Sequence, residues 1–218
     1  MRKRVDFVIG YFYHIYNRGV DKKTIFGDES DYMRFMEYLY FFNDDKPAGG
    51  PSSEERDKLV EVLCFQLMPN HFHLILTPKK DNGIVKFMRK CMTGYAMYYN
   101  KKYKRTGVLF ETRYKAKLID SDAYFCHLTR YIHLNCLELV FPDWEKNGIP
   151  KWEKAVQFLK NYKWSSLSFY LYQENPYGIL CEDLILNHLE IGLGEKYLNF
   201  LKEWEDGPRD DKETFCSK

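Results

Sequence analysis

The stretch Met68-Pro69-Asn70-His71-Phe72-His73-Leu74-Ile75-Leu76 decides the fold, because it places two imidazoles two residues apart within an apolar run. Side chains alternate between two faces in an extended strand, so His71 and His73 project from one face while Phe72 and Leu74 project from the other. Imidazoles are common metal ligands, and two of them on one face can bind a single ion. The stretch therefore predicts a strand that carries a metal-binding pair.

A second apolar run, 59–67, precedes the tight connection Met68-Pro69-Asn70, so the two runs are expected to form an antiparallel hairpin. Periodicity predicts further elements on both sides of it. In chain order these are a strand over 11–16, a helix from Asp28, the hairpin, a helix over 82–103, a strand over 114–119 and a helix over 122–139. This order predicts an α+β protein with a ferredoxin-like (RRM-like) antiparallel sheet, helices on one face and the other face open to a ligand.

Composition narrows the class of protein. The chain has 218 residues, of which 45% are hydrophobic and 17% aromatic, so it can bury a sizeable core and is not a disordered tail. No apolar run approaches the roughly 20 residues of a membrane span, and the basic start lacks the apolar segment of a signal peptide. We therefore expect a cytoplasmic protein with no membrane partner. The six cysteines form no C-x-x-C pair, which indicates reduced thiols.

Positive charge is concentrated in the middle of the chain. Residues 79–117 contain twelve Lys and Arg against two acidic residues, whereas the chain from Asp143 onward has fourteen acidic residues against ten basic ones. Tyrosines interleave with the basic residues, as in surfaces that neutralise phosphates and stack on bases. A solvated helix face above core aromatics explains the same pattern, and the sequence leaves both interpretations open.

The helix predicted over 122–139 opens at a plausible cap, Ser121, and carries Tyr131 and Asn135 four residues apart. Residues with this spacing share one helical face, so the phenol and the carboxamide are expected to approach a common point. His127 lies on the same stripe one turn earlier, and we expect it to be incidental. His133 points to another face, toward packing or bound nucleic acid.

Together these motifs resemble the single-tyrosine HUH transposases (insertion-sequence-200-like superfamily), and most closely the REP-associated tyrosine transposases. The resemblance spans roughly residues 12–170, about seven-tenths of the chain. It includes Tyr16-Asn17-Arg18-Gly19-Val20, the His71-Phe72-His73 hairpin, Leu109-Phe110-Glu111-Thr112-Arg113-Tyr114-Lys115-Ala116, Tyr131-Ile132-His133-Leu134-Asn135 and Lys163-Trp164-Ser165-Ser166.

The resemblance implies a transposase that cuts and rejoins single-stranded DNA, often at a hairpin, through a covalent link between tyrosine and a 5′-phosphate. By position, Tyr131 would be the nucleophile, and His71, His73 and Asn135 would hold Mg²⁺ or Mn²⁺. Tyr114 and Tyr124 are the best rivals of Tyr131, and Asn135 could instead cap a helix end. Candidate DNA contacts are Arg18, Arg89, Lys90, Arg105, Arg113 and Lys115.

The same resemblance divides the chain into a catalytic domain, 1–140, and a mostly helical extension, 141–218, packed on it. A homodimer is an option, because some relatives lend the tyrosine helix to a partner's site. Lys46-Pro47-Ala48-Gly49-Gly50-Pro51-Ser52-Ser53 is predicted to be a flexible loop. Cys136 stands where many relatives have proline, which should let the tyrosine helix continue.

Two other functions compete with the enzyme. A DNA-binding or regulatory protein on the same scaffold would need none of His71, His73, Tyr131 and Asn135. A zinc-dependent RNA-binding module would explain the basic segment but not the tyrosine helix. Imidazole ligands alone suit zinc, manganese or iron, so the sequence does not decide the metal.

Overall fold

The computed structural model describes residues 5–46, 56–188 and 192–206. Its sheet has four antiparallel strands in the order β2-β3-β1-β4: β1 (Phe12–Arg18), β2 (Val60–Met68), β3 (His71–Pro78) and β4 (Lys115–Ile119). Helix α1 (Glu29–Phe41) follows β1, and α2 (Gly83–Lys102) follows β3. The predicted α+β class and the split β-α-β-β-α-β order are confirmed. Most of the predicted loop, 47–53, lies outside the described residues.

The remaining helices follow the sheet. The tyrosine helix, α3 (Asp122–Leu134), is capped by Ser121 as expected. It is followed by α4 (Trp144–Asn147), α5 (Trp152–Asn161), α6 (Leu167–Tyr172), α7 (Glu182–His188) and α8 (Glu195–Lys202). Short 3-10 turns lie at Val20–Lys22, Asn135–Leu139, Pro176–Gly178 and Glu203–Asp206.

The end of the tyrosine helix differs from the prediction. The α-helix ends at Leu134 rather than running to Leu139, and the chain tightens into a 3-10 turn in which the Asn135 N–H bonds the Ile132 carbonyl. Cys136 thus keeps the chain helical, but it does not keep it α-helical. The tighter turn begins at the residue whose side chain bonds to the sheet, as described below, so a tertiary contact accompanies the change of pitch.

The first face of the sheet carries the apolar half of each strand and is covered by α1 and α2. Phe72 of β3 packs against Phe35 of α1 with ring centroids 5.1 Å apart. Helix α1 begins with a capping box, in which Asp28 and Asp31 each accept a bond from the other's backbone. Burial of this face on two helices gives the sheet its main core.

The second face was expected to be open, and that expectation is wrong. His14, Gln66 and His73 lie on this face and are each 0% exposed, because α3 and the segment after α5 cover it. Phe12 of β1 contacts Phe125 of α3 with centroids 5.3 Å apart. Apolar residues of α3 need a surface to pack on, and the second face provides it.

The chain after residue 141 also covers the outer edge of β2. The Leu67 N–H donates to the Trp164 carbonyl at 2.8 Å, and the Ser166 N–H donates to the Phe65 carbonyl at 3.0 Å. Further along, the Cys181 N–H donates to the Val62 carbonyl at 2.9 Å. These bonds occupy backbone groups that a free edge strand would expose. We propose that the described residues of 141–218 fold as one unit with the preceding part of the chain.

A buried polar network joins this extension to α3 and the sheet. His133 lies between the Tyr197 hydroxyl, 2.6 Å from its Nδ1, and the Ser166 hydroxyl, 2.7 Å from its Nε2. Ser166 Oγ also accepts the Phe65 N–H at 2.9 Å. Of the two expectations for His133, packing is therefore the correct one. Cys64 adjoins the network, and the cysteines of the described ranges form no disulfide.

We expect Ser166→Ala to lower the free energy of unfolding by about 1–3 kcal/mol, because the Phe65 N–H and His133 Nε2 both lose the buried Ser166 hydroxyl. The matched control is Ser168→Ala, which removes one solvent-exposed bond to the Glu174 carbonyl and should change stability by less than about 0.5 kcal/mol. Urea denaturation of both variants measures the difference. Equal effects would show that the extension is not integral to the sheet.

Candidate active site

The hairpin places the histidine pair at one end of the central strands. Pro69 and Asn70 form the turn between β2 and β3, so His71 is the first residue of β3. Arg18 and Tyr16 of β1 pair with His71 and His73 respectively in the β1–β3 register. Cross-strand partners in an antiparallel pair share a face, so these four side chains lie together on the second face.

Helix α3 brings the other two predicted residues to the same place. Asn135 Oδ1 lies 2.9 Å from His71 Nε2, and Asn135 Nδ2 donates to the Tyr131 hydroxyl at 3.2 Å. The Tyr131 ring meets the His73 ring edge-on, with centroids 5.6 Å apart. Tyr131 is 3% exposed and Asn135 4%. One chain therefore assembles His71, His73, Tyr131 and Asn135 into a single cluster.

Burial keeps the imidazoles of the site neutral. Desolvation lowers the pKa of His71 to about 4, opposed by the bond to Asn135 and assisted by the nearby Arg18 charge. Desolvation, followed by the proximity of His14 and His71, holds the pKa of His73 well below its usual value. A neutral ring has one nitrogen lone pair available to a metal ion, so both rings are in the form that ligation requires.

Each ring nitrogen Nδ1 has its own partner outside the cluster. His71 Nδ1 lies 2.6 Å from Asn70 Oδ1, and His73 Nδ1 lies 2.8 Å from His14 Nε2. The rings of His14, Tyr16 and His73 are nearly parallel, and His14 and His73 are tilted by only 12°. The sequence interpretation missed His14 and Asn70. His14 lies two residues before Tyr16 in β1, so the two side chains share a face, and Asn70 directly precedes His71.

Charged side chains surround the site. Arg18 forms a forked ion pair with Glu111, from Nε to Oε2 at 2.8 Å and from Nη2 to Oε1 at 3.1 Å. The Lys115 ammonium lies 5.6 Å from the centre of the Tyr16 ring. A cleft of about 480 Å³ opens beside the cluster, and its lining includes Arg18, Lys22, His71, Tyr131, Asn135 and Glu138.

The other candidate DNA contacts lie elsewhere. Arg89 and Lys90 are on α2, which packs on the first face, and Lys90 donates to the Asp44 carbonyl. Arg105 follows α2 and lies over the Tyr99 ring, and Arg113 is exposed just before β4. Of the six predicted contacts, only Arg18 and Lys115 line the pocket that contains His71 and His73.

Much of the basic segment is neutralised by acidic residues from earlier in the chain. Lys79 pairs with Glu61 at 2.8 Å and Lys86 with Asp45 at 3.0 Å. Lys102 contacts both Asp28 and Asp31 at 2.7 Å. The run of positive charge is therefore not one continuous basic surface.

The rivals in the sequence have other surroundings. Tyr124 lies in the first turn of α3, beneath the Lys117 ammonium at 4.6 Å. Tyr114 is half-buried against the core. His127 stacks on Trp204 with centroids 4.7 Å apart. Neither tyrosine shares the bond to Asn135 that Tyr131 makes.

The donor set fits a divalent cation. Two ligands of one ion at about 2.1 Å and at right angles are about 3 Å apart, which matches the 2.9 Å between His71 Nε2 and Asn135 Oδ1. Within the described part of the chain, no three His, Cys, Asp or Glu residues are grouped as a metal site. The candidate set is therefore two imidazoles and one amide oxygen, and no carboxylate cage competes with it there.

We expect the stability of the protein to fall as the pH drops below about 6.5. Burial lowers the pKa of His14 to about 3, of His71 to about 4 and of His133 to about 3, whereas the unfolded chain binds protons near 6.5. The contribution of these neutral buried histidines to the free energy of unfolding is complete above pH 6.5. As the pH falls toward the folded-state pKa values, it declines by about 1.4 kcal/mol per pH unit for each histidine.

Urea denaturation between pH 7.5 and 5 measures this slope. His14→Gln should reduce it by about one proton's contribution, because one neutral buried histidine is removed. A stability that is flat over this range would contradict the burial of neutral histidines.

No described helix is long and apolar enough to cross a membrane.

No curated protein matches the sequence. A solved structure described as the REP-associated tyrosine transposase bound to a REP hairpin is 12% identical, with a TM-score of 0.45 over 64% of this chain and 74% of that chain. Residues 52–135 match the family model described as "Transposase IS200 like". This segment carries His71, His73, Tyr131 and Asn135, and through it the chain is similar to the IS200-like transposases.

Proposed function

We propose that this protein cuts and rejoins single-stranded DNA, with Tyr131 as nucleophile and a divalent cation held by His71, His73 and Asn135. One observation supports it above the others. The Asn135 carboxamide contacts the Tyr131 hydroxyl through Nδ2 at 3.2 Å and His71 Nε2 through Oδ1 at 2.9 Å. A nucleophile and a ligand set that share one side chain can act on one phosphate.

The reaction is a transesterification. The Tyr131 oxygen attacks phosphorus, a new bond joins tyrosine to the 5′-phosphate, and the bond from phosphorus to the 3′-oxygen breaks. The phenol loses its proton, and the leaving 3′-oxygen gains one. The phosphodiester energy is conserved in the tyrosine link, so rejoining by a 3′-hydroxyl needs no nucleotide cofactor.

The side chains of the site have separate tasks. Asn135 Nδ2 donates to the Tyr131 oxygen, which favours the charge that develops there as the proton leaves. Contact with the His73 ring orients the phenol. Mg²⁺ or Mn²⁺, when bound, would withdraw charge from the phosphate and orient the leaving oxygen. Imidazole nitrogen together with an amide oxygen favours Mn²⁺ over Mg²⁺ on ligand type.

We further propose that the site works in cis and that Arg18 and Lys115 bind the DNA backbone beside it. All four groups of the cluster come from one chain, so no second copy is needed to complete them. Arg18 and Lys115 line the same pocket as the histidines, whereas Arg89 and Lys90 lie on α2 against the first face. A single strand or hairpin is the substrate that the sequence resemblance implies.

We expect the protein, incubated with a labelled pool of single-stranded hairpin DNA and Mn²⁺, to form a covalent protein–DNA adduct that survives denaturation. Tyr131→Phe should abolish the adduct, because the ring stays and only the attacking oxygen is removed. Tyr124→Phe is the matched control on the same helix and should retain it. Chelation of the metal with EDTA should also abolish the adduct.

One outcome would contradict the enzyme, and a second would contradict Tyr131 as its nucleophile. Bound but uncut DNA across the pool would favour the regulatory DNA-binding protein on the same scaffold. An adduct that persists in Tyr131→Phe and disappears in Tyr124→Phe would transfer the nucleophile's role to the rival tyrosine.

We expect Lys115→Gln to weaken DNA binding and to reduce the slope of log Kd against log salt by about one, because one phosphate contact is lost. Arg89→Gln removes a positive charge from α2 and should leave the slope unchanged. Fluorescence anisotropy at several salt concentrations measures both. Equal losses for the two variants would place the DNA on both faces of the molecule and contradict a contact surface restricted to the second face.

A further inference from the structure

The two histidines of the candidate metal site are held at Nδ1 by side chains that lie outside the ligand set. Asn70 Oδ1 lies 2.6 Å from His71 Nδ1, and His14 Nε2 lies 2.8 Å from His73 Nδ1. A neutral imidazole carries a single proton, so the partner at Nδ1 determines whether Nε2 has a lone pair. Metal ligation through Nε2 needs the proton on Nδ1.

For His71 the shorter of two hydrogen-bond contacts favours one position of the proton. Asn70 Nδ2 donates to the Lys22 carbonyl at 3.3 Å, which directs the amide oxygen toward His71. Amide oxygens only accept, and one faces each ring nitrogen, Asn70 Oδ1 at 2.6 Å from Nδ1 and Asn135 Oδ1 at 2.9 Å from Nε2. The shorter contact favours the proton on Nδ1. The neutral ring then presents a lone pair at Nε2, toward Asn135 Oδ1 at 2.9 Å. A contact between two acceptor atoms at this distance is favourable when both atoms bind the same cation.

His73 has the corresponding arrangement on the strand. Its Nδ1 faces His14, whose ring is 0% exposed and stacks almost parallel to it with centroids 5.1 Å apart. One proton lies between the two nitrogens, and either ring could carry it. A cation bound at His73 Nε2 leaves the proton of that ring on Nδ1, where His14 Nε2, 2.8 Å away, can accept it. The charged and titratable groups around His14 include Lys117, His73 and Tyr16.

We propose that Asn70 and His14 are positioning residues that place the proton of His71 and of His73 on Nδ1, so that both rings present Nε2 to one cation. An isolated neutral histidine prefers its proton on Nε2, so the two contacts reverse this preference. The inference depends on the proposed function only in treating His71 and His73 as ligands. His14 and Asn70 themselves contact neither the cation nor the DNA phosphate in this assignment.

The tautomers can be measured directly on the full-length, metal-free protein. Long-range ¹H–¹⁵N spectra of ¹⁵N-histidine-labelled protein at pH 7.5 distinguish a proton on Nδ1 from one on Nε2. His71→Gln and His73→Gln identify the two rings by the signals that each removes. We expect both rings to carry the proton on Nδ1. A proton on Nε2 of either ring in the wild-type protein would overturn the assignment for that residue's partner.

Variants at residue 14 test the consequence for metal binding. His14→Gln keeps a side-chain oxygen that can accept from His73 Nδ1, whereas His14→Leu offers none. With Mn²⁺ alone as the probe, calorimetry should show a loss of at least about tenfold in affinity for His14→Leu and a smaller loss for His14→Gln. Thermal unfolding of both variants verifies that the fold is retained, and the wild-type spectra decide the tautomers even if a variant does not fold.

Asn70 allows the same comparison. Asn70→Asp retains an acceptor for His71 Nδ1, and Asn70→Ala removes it, so the proton should stay on Nδ1 in the first variant and redistribute in the second. Unchanged tautomers in both Asn70→Ala and His14→Leu would show that neither residue positions the ligands.

The Mn²⁺-binding and tautomer measurements distinguish a failure of this inference from a failure of the proposed function. Wild-type protein that binds no Mn²⁺ while both rings carry the proton on Nδ1 would contradict the metal site but retain the tautomer assignment. Tight Mn²⁺ binding that is insensitive to His14→Leu would retain the metal site and contradict the role of His14.

Discussion

The bridge that Asn135 makes between strand β3 and helix α3 is the contact on which the site depends. One end of its carboxamide meets His71 and the other meets Tyr131. A displacement of α3 by one turn, about 5.4 Å, would separate the phenol from the imidazoles. The position of α3 on the second face therefore determines whether the cluster exists.

The C-terminal extension helps to fix this position. His133 is on α3, and its two ring nitrogens contact Ser166 and Tyr197, which belong to different parts of the extension. The backbone of 164–166 in turn bonds β2. Because these groups are fully buried, a misplaced helix would leave several polar atoms unsatisfied. The extension thus acts on the site by holding the helix, although it supplies neither the histidines nor the tyrosine.

Local pattern was sufficient to predict the sheet and the strand that carries the histidine pair. The alternation His71-Phe72-His73 specifies which side chains share a face, and the spacing of Tyr131 and Asn135 specifies a common helical face. Each pattern is a property of one element, the first of a strand and the second of a helix. The tertiary structure brings the two faces together.

Long-range contacts could not be predicted from the sequence. The helical spacing of the tail does not indicate which surface it covers, so the burial of the second face was missed. The partners of Lys79 and Lys102 lie far away in the chain, at Glu61 and Asp28, so the neutralisation of the basic segment could not be read from its charge count. The Nδ1 contact of His14 likewise depends on how two strands pair. Sequence patterns specify the faces of elements, and packing decides what each face meets.

The central claim is that His71, His73 and Asn135 hold one cation beside Tyr131. Anomalous diffraction from crystals grown with Mn²⁺ tests it most directly. The account predicts one strong anomalous peak within bonding distance, about 2.2 Å, of both Nε2 atoms and of Asn135 Oδ1. A peak bound elsewhere, or a cation held by only one of the two imidazoles, would contradict it.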